Sequence, residues 1–124
     1  YHLSDLLVYP SLYEGGGLPV IEGWAFDTPV VCSDIPPLRE TGGDAVAYVD
    51  PTSVEDIGDT IHEVWTDRSR RDRLVERARD RRERFTWRRT ARMYHALYRK
   101  AAGRELSTAD RAALQYPDDG EQTG

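Results

Sequence analysis

Leu6-Leu7-Val8-Tyr9-Pro10-Ser11-Leu12-Tyr13-Glu14-Gly15-Gly16-Gly17-Leu18-Pro19-Val20-Ile21-Glu22 is the stretch that decides the fold. Its first four residues form a short apolar run closed by Pro10-Ser11, which suits a strand buried on both faces of a parallel sheet. Residues 11–17 then read as a loop, and Leu18-Pro19 opens a helix that runs to about Phe26. Proline is tolerated there because its missing N–H would have had no intrahelical partner.

Working outward, Asp27-Thr28-Pro29 breaks that helix and Val30-Val31-Cys32 reads as a second buried strand, followed by a turn-rich Ser33-Asp34-Ile35-Pro36-Pro37. Ala45 to Val49 is a third short strand, ended by Asp50-Pro51. The alternation predicts an α/β fold with a partial, Rossmann-like parallel sheet followed by C-terminal helices. From Ser53, a plausible N-cap, Ile57, Ile61, Val64 and Trp65 fall at helical spacing. Leu74, Ala78 and Phe85 mark a second, heavily charged helix. Trp87, Ala91, Tyr94, Tyr98 and Ala101 mark a third from about Thr86, and that stripe reads as core. Residues 104–124 are polar and expected to be a mobile tail, with one short helix at Thr108 to Leu114.

Charge divides the chain in a way that its net value of −5 conceals. Residues 1–66 carry twelve acids and one base, Arg39, whereas residues 67–89 carry eleven arginines and five acids. A cationic helix could meet nucleic acid or an anionic lipid surface. The interleaved acids favour instead a solvated face with local ion pairs, and no nucleic-acid fold is recognisable. One cysteine, Cys32, excludes an internal disulfide framework and, with no apolar run of spanning length, points to the cytoplasm. Cys32 reads as a small buried hydrophobe, and His2, His62 and His95 form no metal pattern, so no metal or cofactor is expected.

The chemistry sits in Glu14 to Glu22. Ligands of open α/β sheets bind beyond the carboxyl ends of the strands, and N–H groups at a helix start attract anions, a diphosphate among them. Glycines let the backbone approach a ligand and adopt the positive φ that anion-binding turns use. The helix dipole contributes only about 0.3–1 kcal/mol at an exposed end, and no cationic side chain lies nearby in the sequence to assist it. Glu14 and Glu22 can lean toward one crevice and accept hydrogen bonds from sugar hydroxyls. Spacing alone slightly favours plainer roles, a solvated loop acid and a complement to the helix dipole.

The pattern Pro10-Ser11-x-x-Glu14-Gly15-x-Gly17-Leu18-Pro19-x-x-Glu22 resembles the signature of glycosyltransferase family 4, whose paired glutamates stand with seven residues between them. Thr28-Pro29-Val30-Val31, Glu40, Gly43-Asp44-Ala45, Asp50-Pro51 and Phe85-Thr86-Trp87 match in order, so the resemblance covers roughly residues 4–100. It implies the distal part of the C-terminal, donor-binding domain of a GT-B fold over residues 1–103. It implies transfer of a sugar from a nucleotide-diphosphate sugar to a hydroxyl, with retention at the anomeric carbon. By the same resemblance Glu22 would hold the ribose hydroxyls, Glu14 would lie beside the transferred sugar, and backbone N–H groups around Gly16, Gly17 and Leu18 would meet sugar and phosphate oxygens. Gly16 stands where the family often has an aromatic, and Gly23-Trp24 replaces a commoner Ala-Met pair.

The chain starts at Tyr1, just before a strand, and the resemblance implies an upstream Arg and Lys and an N-terminal acceptor domain. The chain alone is therefore expected to be inactive. A peripheral contact at the inner membrane face is a further expectation, since enzymes of this kind often act on lipid-linked acceptors. Two alternatives stay open: another GT-B enzyme, a phosphorylase or an epimerase, and a binding module that keeps the nucleotide pocket without catalysis.

Overall fold

A computed structural model describes residues 1–115; the last part of the expected mobile tail, residues 116–124, lies outside the described residues. The chain divides into two compact units, Tyr1–Glu83 and a second beginning at Arg84.

The first unit holds β1 (Leu7–Tyr9), α1 (Leu18–Ala25), β2 (Val30–Ser33), α2 (Pro36–Gly42), β3 (Ala47–Val49), α3 (Val54–Thr66) and α4 (Arg68–Arg82). The strands form a parallel sheet in the order β1-β2-β3, with Val8 opposite Val31 and Val31 opposite Ala47. Every residue of β2 is buried, as expected for a central strand covered on both faces. Leu7, Val8 and Tyr9 are only half-buried. The expectation of a strand buried on both faces fails for β1 because it is an edge of the sheet among the described residues.

Side chains alternate between the faces. Val31, Ala47 and Val49 pack with Val64 of α3 and Leu74 of α4, and Leu6 and Ile57 close that cluster. On the other face α1 lies so close that a Cβ added at Gly23 would be 3.0 Å from Leu7 Cδ2 and 3.4 Å from Val30 Cγ2. Its neighbour Trp24 is fully buried, and a side chain of that size is worth about 3 kcal/mol or more to the core. Ser33-Asp34-Ile35-Pro36-Pro37 is not simply a turn: Pro36 and Pro37 begin α2, which carries Glu40. Ser53 caps α3, its hydroxyl accepting from Asp56 N–H at 3.1 Å.

The arginines of α4 meet the carboxyl ends of the three preceding helices. Arg82 donates to Trp24 O at 2.8 Å, and Arg79 pairs with Asp27 through two bonds of 2.9 and 3.0 Å, at the end of α1. Arg81 donates to Glu40 O and Thr41 O, both at 2.6 Å, at the end of α2. Arg71 donates to Val64 O and Trp65 O at the end of α3. Cations are favourable at these sites because the last carbonyls of a helix lack partners and carry partial negative charge.

The second unit holds α5 (Trp87–Ala101) and α6 (Thr108–Leu114). Thr86 caps α5, and Ser107 caps α6 in a reciprocal box with Asp110. Phe85 does not continue the charged helix, which ends at Arg82. Trp87, Ala91, Tyr94, Tyr98 and Ala101 are exposed, so the stripe is not core; α5 buries Ala96 instead. Asp110 of α6 pairs with Arg99 at 3.3 Å and with His95 at 3.6 Å.

Candidate functional site

The loop from β1 to α1 holds its glutamate by short-range bonds. Tyr9, the last residue of β1, and Ser11 both donate hydroxyl hydrogen bonds to Glu14 Oε1, the second at 2.7 Å. The Tyr9 bond, then the Ser11 bond, hold the Glu14 carboxyl below its usual range, with the Gly15 N–H adding to them. The same bond pushes the Tyr9 hydroxyl up to about 12. Glu14 is thus an anchored carboxylate whose Oε2 lies outside both side-chain bonds.

The glycines that follow are not equivalent. Gly17 is left-handed, at φ 62° and ψ 42°, and a Cβ there would fall 2.5 Å from Leu38 Cδ2. Gly15 and Gly16 have negative φ, and an added Cβ would meet nothing within 4 Å. Only Gly17 is required by the fold. Thr41 of α2 donates to the Gly16 carbonyl at 2.8 Å.

Gly17 is also the N-cap of α1, and no side chain caps this helix, whereas Ser53, Asp67, Thr86 and Ser107 cap α3, α4, α5 and α6. Pro19 has no N–H, and Val20 N–H is bonded to Gly17 O at 2.9 Å. The donors left at this helix start are the N–H groups of Gly17 and Leu18, for which no acceptor occurs among the described residues. An uncapped start next to bare glycines is an arrangement suited to an anionic ligand.

Glu22 is exposed in the middle of α1 and accepts a hydrogen bond from Tyr1 at 2.9 Å. Tyr1 in turn stacks on Phe26, with ring centroids 6.1 Å apart and planes at 13°. The two glutamates therefore have separate partners, and no hydrogen bond joins them. Tyr9, Leu38 and Thr41 complete the loop without having been singled out in the sequence, and Ser11 entered only as part of the signature, with no role given to it. Ser11 was within reach, three residues before Glu14, but nothing local linked Thr41 to Gly16 across twenty-five positions.

Cys32 is fully buried, and that burial pushes its thiol up to about 12, out of the reactive range. Among the described residues no group of three or more His, Cys, Asp and Glu is placed to hold a metal, and no helix is long and apolar enough to cross a membrane.

A family model described as glycosyl transferases group 1 matches residues 1–81. The O-antigen chain mannosyltransferase B of Escherichia coli is 38% identical over 87 residues, 70% of this chain and 23% of that protein. The D-inositol 3-phosphate glycosyltransferase of Corynebacterium aurimucosum is 30% identical over 120 residues, 95% of this chain and 26% of that protein. Among solved structures, sucrose-phosphate synthase from Thermosynechococcus elongatus superposes with a TM-score of 0.74 at 28% identity, over 81% of this chain and 26% of that one. The three-stranded parallel sheet with its helices is thus part of a GT-B fold. The chain spans about a quarter of the length of these relatives.

Proposed function

The chain belongs to the group 1 glycosyl transferases, and from that premise we propose that it is the distal donor-binding part of a retaining enzyme that transfers a hexose from a nucleotide-diphosphate sugar to a hydroxyl. The observation that carries this reading is the uncapped start of α1, with unpartnered N–H groups at Gly17 and Leu18 beside the anchored carboxylate of Glu14.

In this reading the diphosphate lies against the N–H groups of Gly16, Gly17 and Leu18. There the preorganised donors stabilise the negative charge that grows as the bond to the anomeric carbon breaks. Glu14, kept ionised by its two hydroxyl donors, accepts hydrogen bonds from the sugar through Oε2. Glu22 accepts from the ribose, which requires Tyr1 to give up its bond. Several relatives carry mannosyltransferase in their names, so a mannosyl donor is the first to try. In this reading an upstream Arg and Lys supply the remaining cations, an N-terminal domain supplies the acceptor site, and the chain alone transfers no sugar.

Calorimetric titration of the chain with UDP, GDP and ADP tests the reading. Saturable binding that Glu22→Ala abolishes supports it; the absence of binding by every nucleotide sinks it. In the full-length enzyme Glu14→Ala should keep nucleotide binding and lose turnover, which separates an enzyme from a binding module. For the arginine-rich segment we infer a structural role ahead of a membrane one, because Arg71, Arg79, Arg81 and Arg82 are engaged at helix ends. Flotation with anionic liposomes at low salt checks this, and no association is expected.

A further inference from the structure

The peptide joining Gly16 to Gly17 has glycine on both sides, so it can flip at little cost in the backbone. A flip would exchange the Gly17 N–H for the Gly16 carbonyl on the side of the peptide away from Thr41, replacing a donor by an acceptor where, in the reading above, an anion is to sit. One side chain opposes it. Thr41, buried on α2 with 4% of its surface exposed, donates its hydroxyl to the Gly16 carbonyl at 2.8 Å. A trans peptide is planar, so a carbonyl turned toward Thr41 leaves the Gly17 N–H pointing the opposite way, where it has no acceptor among the described residues.

Thr41 is itself held in place. Arg81 donates to its carbonyl at 2.6 Å, and Leu38, one turn earlier on α2, packs beneath Gly17. The chain of supports runs from α4 through α2 to the loop.

We propose that Thr41 is a positioning residue for the donor diphosphate: its hydroxyl locks the Gly16–Gly17 peptide in the orientation that presents the Gly17 N–H to a phosphate oxygen. This rests on the donor-site reading above. Thr41 touches no reacting atom, and it acts by removing the orientation in which the loop would repel the ligand.

The test is an NMR titration of the ¹⁵N-labelled chain with UDP, GDP and ADP, on the wild type and on Thr41→Val and Thr41→Ser. Valine keeps the shape and deletes the hydroxyl, while serine keeps the hydroxyl. In the wild type the Gly17 amide should be among the resonances that move most. Thr41→Val should bind about fivefold more weakly, the effect of one lost hydrogen bond, with little movement at Gly17, and Thr41→Ser should restore both. Equal affinity and an equal Gly17 shift in Thr41→Val overturn the role of Thr41 while leaving the donor site standing. A wild-type Gly17 amide that stays still while its neighbours move overturns it as well, whether or not the valine variant folds. If the wild type binds no nucleoside diphosphate, the donor-site reading falls and the role of Thr41 with it.

Discussion

At the scale of single residues, the three glycines of the loop separate what the fold needs from what a ligand would need. Gly17→Ala forces a Cβ into Leu38 and into a left-handed backbone, so it should lower stability by at least about 1 kcal/mol in urea unfolding. Gly16→Ala meets open space at negative φ and should be neutral or stabilising by up to about 1 kcal/mol. Equal unfolding of the two variants would contradict a fold requirement confined to Gly17. Tyr9→Phe removes the largest cause of the lowered Glu14 carboxyl, and its titration followed by ¹³C NMR should move up toward the ordinary glutamate range. The glutamates and glycines entered as candidates through resemblance, since spacing alone slightly favoured plainer roles. Their supports were not legible: Tyr9 looked like strand core, and the hydroxyl of Thr41 lies far from the loop in sequence.

At the scale of elements, helix ends explain both the successes and the failure of the sequence reading. The start of α3 was visible because Ser53 reads as a side-chain cap, and it does cap; the start of α5 came from the spacing of its stripe, and Thr86 proves to be its cap. The helix α2 was missed because Pro36-Pro37 is also a turn signal, and seven residues give no periodicity to set against it. The arginine-rich α4 was read as a solvated face, yet its arginines reach backbone carbonyls that no local pattern could reveal. They should differ in weight. Arg79→Ala removes an exposed ion pair and should cost less than about 1 kcal/mol. Arg81→Met removes two charge-assisted hydrogen bonds to carbonyls at the end of α2 and should cost about 1–3 kcal/mol. Asp27 is held below its usual range first by the Arg79 hydrogen bond. Its contribution is therefore present above about pH 4 and lost as the pH falls through the depressed value. Asp27→Asn should flatten that part of the acid limb of a stability curve.

At the scale of the whole molecule, the α/β class and parallel order followed from alternating short apolar runs and helical stretches. What sequence alone could not show was how much of each element would be covered. The apolar runs of β1 and β2 look alike, but only the central strand is fully buried. Trp87, Tyr94 and Tyr98 read as core from their helical spacing, yet all three are exposed. An apolar helix face of that kind favours association, so sedimentation velocity of the chain should show a coefficient that rises with concentration. The double variant Trp87→Ser and Tyr98→Ser should reduce the rise, and a concentration-independent monomer before substitution would refute the idea.

The burial of Trp24 beside Gly23 has an optical consequence. The three tryptophans are 0%, 54% and 81% exposed at positions 24, 65 and 87, so their emission should divide into a blue component from Trp24 and a red one from the other two. Acrylamide should quench the red component and largely spare the blue. Trp24 lies on the helix that begins at the glycine loop, so the surviving blue light reports on the packing of that helix without any attached dye.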